Sequence, residues 1–583
     1  MKPYTVLGFR ALMKDFPDRT YQELTEKLSS NIIIRVLSGL NNELNSKEER
    51  VNLQIRMLTA TANKISLNQK QKIIENLNIF FNQTENKYYP LFFGTRYIID
   101  MILKEINNYR EVENTIVDSC EDLNFLMAYL LTIDEVNARD HTYIDFEKLK
   151  NEDPDKQYKL LWLPTINQFA YNEKSNFIFE LFRTASFFKY VSKEYRPFLK
   201  EFLSKFNFVN ISAYLNSYQQ IFMTSENVDE NALLKRLNYI VPVEGVDQTH
   251  LQSLAINAAV PSKKKYNLID IRKKPLCFDQ KRGYMVIDYS FLTKKMFRGA
   301  YFEICHETSL TQNPEYSKEN KQQIFNQYSQ KVADAFEESC FTPVMELFAG
   351  GEADKTYFND NSNGVPDYYI RKGNTIFLFE LKAYVFPENL ANQPNFEKIK
   401  AYLEDRFVGT DEKNKGVGQI VEQIIKITQG GFGFDPLQEI IKTGHTIYVH
   451  PIIVHSDFNF NLPGINNYLD TAFKQKLNSL PVSNLAVAPL ILVGLDTIFD
   501  LVLTDKTFLD FQRHTGTYFD YLNLFTGRLF TENPPQQQDL LRSNASFDEY
   551  YNLELVTPTE SEQQLQNNIK KAGIEMDDFK EEL

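Results

Sequence analysis

Apolar positions in the first half of the chain recur at helical spacing. After Ser66, which reads as a cap, Ile73, Leu77 and Phe80 fall on one face, and similar runs cover Phe92 to Leu103, Leu123 to Leu131 and Phe198 to Ile221. No fixed-period repeat joins them, so a solenoid is not expected. From Lys321 to Cys340 the residues Ile324, Tyr328, Val332, Ala335, Phe336 and Cys340 again keep helical spacing. The period then changes. Two β-rich runs, around Tyr368 to Ile370 and from Thr375 to Phe379, flank the polar turn Lys372-Gly373-Asn374, which predicts a tight hairpin. A helix follows over Lys415 to Lys426, with Ile420, Ile424 and Ile427 in line. Thr446 to His455 and the nearly all-apolar Val487 to Leu495 then read as strands buried on both faces. The order helix, strands, helix, strand predicts an α/β sandwich around a central mixed sheet, preceded by a mostly helical region, in an α+β multidomain chain.

The hairpin carries the chemistry. It brings Asp367, at the start of one strand, near Glu380, at the end of the next. Strand side chains alternate, so Glu380 and Lys382 share a face while Leu381 points away. Two carboxylates and one ammonium at the end of an apolar run would be costly to bury without a compensating ion. A hard, oxygen-only pair of ligands suits Mg²⁺, with Mn²⁺ able to substitute. The bland alternative is a solvated surface hairpin.

Pro366-Asp367 together with Glu380-Leu381-Lys382 resembles the PD-(D/E)XK nuclease superfamily, the restriction-endonuclease-like fold, over the third quarter of the chain. The resemblance implies a Mg²⁺-dependent endonuclease in which Asp367 and Glu380 hold the metal and Lys382 orients or helps deprotonate the attacking water. It further implies an acidic ligand from the preceding helix. Glu337 is the choice, with Glu338 open, because adjacent helical residues point about 100° apart and only one can face the site. Gln419, opening the next helix, is added by the same resemblance as a contact to phosphate or water; otherwise it is a helix-start polar residue. Bacterial antiviral defence or restriction is the implied setting.

Composition refines the partner. The 583 residues, 43% hydrophobic and 24% charged, suit an ordinary globular chain of several domains, and the net charge of −13 argues mildly against nucleic acid. One stretch is strongly cationic, however: Lys263, Lys264, Lys265, Arg272, Lys273, Lys274, Lys281 and Arg282, followed by Lys294, Lys295 and Arg298. It is interleaved with Tyr266, Phe278, Tyr284, Tyr289 and Phe297, a pattern able to track a phosphate backbone and stack bases, or simply a solvated face. The four cysteines are well separated with no C-x-x-C, so neither a zinc site nor a disulfide framework is indicated, and no Gly-rich phosphate loop or Gly-x-Ser-x-Gly elbow occurs. His445, His450 and His455 stand five apart, which puts strand neighbours on opposite faces, so they are read as structural, and Trp162 as core. No apolar signal or membrane-length segment is seen, so a cytoplasmic protein without membrane contact is expected.

The expected organisation is a helical recognition or regulatory region over 1–257, a basic β-containing connector over 258–315, the nuclease domain over 316–532 and a polar, acidic tail over 533–583. The expected function is metal-dependent cleavage of nucleic acid, DNA before RNA, by a possible homo-oligomer or with an activating partner. The competing reading is a non-catalytic scaffold with a nuclease-like domain that binds nucleic acid or protein.

Overall fold

The structure, a computed structural model, describes residues 4–44, 53–54, 57–58, 65–83, 89–112, 119–140, 153, 155–171, 176–226, 240–241, 248–260, 262–280, 283–359, 364–387, 390–391, 394–410, 413–478, 484–531 and 537–554. The helical reading of the first half holds. Ser66 caps the helix Leu67–Gln83, and the runs near Phe92 and Leu123 lie in helices Thr95–Asn107 and Ser119–Asp140. The run from Phe198 to Ile221 is two helices, Arg196–Lys205 and Ile211–Glu226, separated where Asn207 takes a left-handed φ of 59°. Asn tolerates that conformation better than most residues, and an apolar period gives no sign of it.

In chain order, the elements that frame the site are helices α1 (Ser30–Leu44) and α2 (Phe177–Glu194) and a small sheet. Its strands are β1 (Ile240–Val241), β2 (Ala255–Ile256), β3 (Leu276–Asp279) and β4 (Gly283–Val286). Helices α3 (Tyr289–His306) and α4 (Lys318–Phe336) follow, then a π turn at Glu337–Phe341 running into α5 (Thr342–Ala349). The central sheet begins with β5 (Lys355–Phe358), β6 (Tyr368–Lys372) and β7 (Thr375–Lys382), continues after α6 (Val417–Thr428) with β8 (Ile447–His455), and ends with β9 (Leu485–Val487) and β10 (Ile491–Gly494). Helices α7 (Leu495–Leu503) and α8 (Phe547–Glu554) close the described chain.

The six-stranded sheet runs β9-β8-β7-β6-β5, with β10 also paired to β8. Strands β5, β6 and β7 form an antiparallel meander, and β8 pairs parallel to β7, β9 and β10, so the sheet is mixed. The expected hairpin is present, with Lys372 opposite Thr375 and Gly373 at φ 55° in a two-residue turn. The single apolar run from Val487 to Leu495 is split, its middle leaving the ladder and Leu495 starting α7. Alternation along β7 sorts the core: Ile376 and Leu378 join Ile420 and Ile424 of α6 on one face, while Phe377 and Phe379 join Phe341 and Phe348 on the other.

The first half is packed into this unit. Asn41 of α1 donates to the Ile287 carbonyl at 3.0 Å, Asn42 donates to the Val286 carbonyl at 2.8 Å, and α2 packs against α3 and α4. Trp162 is fully buried and stacks on Phe396, in keeping with its reading as core. At the other end, the tail expected from 533 onward begins later. Helices Gln537–Arg542 and α8 belong to the packed structure, with Phe547 buried and Asp548 accepting the Gly494 N–H at 2.9 Å. Residues 532–536 and 555–583 lie outside the described residues. No described helix is long and apolar enough to cross a membrane.

Candidate active site

Asp367 lies one residue before β6 and Glu380 one residue past Phe379, the partner of Tyr368, so the hairpin register sets the two carboxyls side by side. Asp367 Oδ2 accepts the Leu381 N–H at 2.7 Å. Glu380 is fully buried, and its Oε2 accepts from Lys382 Nζ at 3.0 Å. Alternation delivers this pair to the face covered by α6, as the sequence pattern anticipates. Gly364, at φ 74°, turns the chain toward Asp367.

The surroundings decide the charges. Burial is the main cause raising Asp367, offset by Lys382, the Leu381 N–H and a hydrogen bond with Glu380. Burial also dominates the rise at Glu380, with Lys382 opposing and Asp367 reinforcing it. Lys382 suffers the same burial, but the Glu380 and Asp367 carboxylates outweigh it and hold the ammonium above its ordinary value. Lys382 thus offsets only part of the cost of burying two carboxylates side by side.

Glu337 opens the π turn and is pushed up to about 7, first by burial, then by Asp367, with Lys382 opposing. It therefore senses the hairpin pair, whereas Glu338 is exposed. The π turn supplies the reason: it inserts an extra residue into the helix and re-aims the side chains on either side of it.

Gln419 is not in this cluster. Its Oε1 accepts the Gly416 N–H at 2.7 Å and closes the first turn of α6. One turn further, Gln423 is fully buried and its Nε2 donates to Glu380 Oε1, while its own Oε1 has no partner. Gln419 is the glutamine nearest the helix start, but helical spacing, with Ile420, Ile424 and Ile427 on the core face, is the signal that favours Gln423.

The cationic stretch does not form one surface. Lys263, Lys264, Lys265, Lys273 and Lys274 are exposed, with Lys264 paired to Asp270 at 2.9 Å. Arg272 lies over the Phe291 ring at 5.4 Å. Lys294 is buried against Glu180, Lys295 pairs with Glu303, and Arg298 pairs with Asp457 at 3.4 Å. Lys281 and Arg282 lie outside the described residues. The β8 histidines divide as expected, His450 opposite Phe377 on one face and His455 opposite Lys382 on the other. Cys277, Cys305 and Cys340 are buried free thiols.

Among the described residues, no group of three or more His, Cys, Asp or Glu side chains is set to hold a metal ion. The pair Asp367 and Glu380 fits the sparser mode of Mg²⁺, which takes one or two carboxylates and completes its shell with water and substrate oxygens. The two carboxyls set side by side and the orphaned Gln423 oxygen are the features that fit. Searches of protein-family models, curated proteins and solved structures find no match to this chain.

Proposed function

We propose that the chain is a metal-dependent nuclease of the PD-(D/E)XK type, with a restriction-endonuclease-like core and DNA as its substrate. The observation that carries the reading is the cluster of half-buried Asp367 with buried Glu380 and Lys382 at one end of β6 and β7, flanked by Gln423 and Glu337. A structural core gains little from such a group, because each buried charge must be compensated. Strand order supports it as well: an antiparallel meander carries the acidic pair, and a parallel strand follows after a helix.

Asp367 and Glu380 would hold Mg²⁺, which when bound supplies charge compensation on the phosphoryl oxygens and a more nucleophilic water. Lys382, kept charged by its neighbours, donates to the attacking water or to the phosphoryl oxygen. Gln423 fixes the Glu380 carboxylate by donating to the oxygen that Lys382 does not hold. The exposed Lys263, Lys265, Lys273 and Lys274 are the groups offered to backbone phosphates, which predicts binding that weakens steeply with salt. Antiviral defence or restriction is the setting that accompanies this reading.

One observation favours the scaffold reading: Lys382 occupies Glu380 Oε2, and no larger ligand group surrounds the pair among the described residues. Cleavage separates the two. Plasmid, single-stranded DNA and RNA are incubated with Mg²⁺, Mn²⁺ or EDTA and wild-type, Asp367→Ala or Lys382→Ala protein. Metal-dependent cutting of DNA by wild type alone is expected. Silence from all three proteins together with no stabilisation by metal favours the scaffold, and activity in both variants removes the site assignment.

A further inference from the structure

A buried polar cluster that the proposed chemistry does not use lies where α2 meets α3 and the π turn. Glu180 of α2 is fully buried; its Oε1 accepts from Lys294 Nζ of α3 at 2.7 Å, and its Oε2 has no partner. One turn along α2, Arg183 places Nη1 3.8 Å from the same Glu180 oxygen. The Arg183 guanidinium carbon lies 3.9 Å from the Phe297 ring centroid and 5.2 Å from that of Phe336, and Nη1 donates to the Ser456 carbonyl at 3.5 Å. The cluster holds two buried cations against one buried carboxylate, an arrangement that needs a specific reason to persist. Arginine suits it better than lysine, since its planar, weakly hydrated head can stack on two rings while it donates.

The two contacts of Arg183 lead to opposite sides of the candidate site. Phe336 immediately precedes Glu337 and the π turn. Ser456 immediately follows His455, the register partner of Lys382. Phe336 and Phe297, the two rings that Arg183 contacts, also line a small apolar recess with Phe187, Tyr190, Val332 and Ser339.

We infer that Arg183 is a positioning residue that fixes the π turn bearing Glu337 against the end of β8 beside Lys382. The helices before residue 257 are thereby part of the site, not a module attached to it. The catalytic consequence rests on the nuclease reading; the mechanical one does not.

The test uses the full chain with Arg183→Gln, Arg183→Lys and Phe336→Leu, the last breaking the same contact from the other side should Arg183→Gln fail to fold. Backbone amide exchange is followed at 337–341 and 455–457, with helix Ile465–Asn478 as control. In each variant, exchange at 337–341 should rise by about tenfold or more while the control stays within about twofold, because a local opening is being eased. For cleavage, kcat should fall about tenfold with KM held within about threefold, as expected when alignment and not binding is lost. Unchanged exchange at 337–341 in folded variants, or loosening equal to that of the control helix, would overturn the inference. If wild type cuts nothing, the nuclease reading falls, and the exchange data alone still decide the role of Arg183.

Discussion

The Gln423 amide donates to the buried Glu380 carboxylate across 43 residues of chain, and Lys382 holds that carboxylate's other oxygen. The orientation of Glu380 is therefore set by one residue of its own strand and one of the helix above it. Replacing Gln423 by Leu should lower cleavage by about 10- to 100-fold and cost on the order of 1–3 kcal/mol in stability, since a buried acceptor loses its donor. Gln419→Ala should leave cleavage within about twofold and cost about 1 kcal/mol, the usual loss for a helix-start contact. Steady-state cleavage and urea unfolding of the two variants test the distinction, and equal loss of activity would contradict it.

Burial raises Glu380 even against the Lys382 ammonium, so ionising it costs stability until a further cation arrives. Glu380→Gln should unfold at a temperature no lower than wild type in EDTA, yet gain nothing from Mg²⁺. Wild type should gain about 2.7 kcal/mol when the free metal reaches about 100 times its Kd. A thermal-shift titration with Mg²⁺ and Mn²⁺ reads both, and identical metal responses from the two proteins would rule out Glu380 as a ligand.

His450 pairs with Phe377 across β8 and β7, with ring centroids 4.7 Å apart, and burial lowers it to about 4. Because the folded value lies below the unfolded value near 6.5, the stability linked to this group is fully present above about pH 6.5 and is lost as pH falls toward 4. Wild type should lose about 1–3 kcal/mol more than His450→Phe over that window, because phenylalanine keeps the stack and takes up no proton. Urea unfolding from pH 4.5 to 7.5 measures the difference, and parallel pH profiles would show that the imidazole is not held neutral by burial.

Two glycines with left-handed backbone should differ sharply on replacement. A Cβ at Gly416, at φ 44°, would sit 2.4 Å from the Phe407 carbonyl oxygen, a backbone atom with little freedom to move. A Cβ at Gly373, at φ 55°, meets nothing within 4 Å. Gly373→Ala should therefore cost about 1 kcal/mol from backbone strain alone, and Gly416→Ala clearly more, on the order of 3 kcal/mol. Gly416→Ala should also reduce cleavage, because it displaces the start of the helix that carries Gln423. Equal unfolding midpoints for the two variants would show that the Gly416 contact relaxes without cost.

Local sequence determined the parts of this protein that depend on neighbouring residues. The two-residue turn and the strict alternation of β7 place Asp367, Glu380 and Lys382 together, because strand period and hairpin register are local properties. The helical character of the first half, the core position of Trp162 and the separation of His450 from His455 follow from the same periodicities. Tertiary structure decided what depends on distant partners. Glu337 lies near Asp367 and Lys382 while Glu338 is exposed, because a π turn re-aims the side chains there, and Gln423 reaches Glu380 where Gln419 does not, because α6 packs on the β7 face with its second turn above Glu380. The cationic stretch looked continuous along the chain, yet Lys294 and Arg298 are consumed by Glu180 and Asp457, residues 114 and 159 positions away. Charge spacing in sequence cannot reveal such pairing, because Coulomb attraction acts through folded distance, not chain distance.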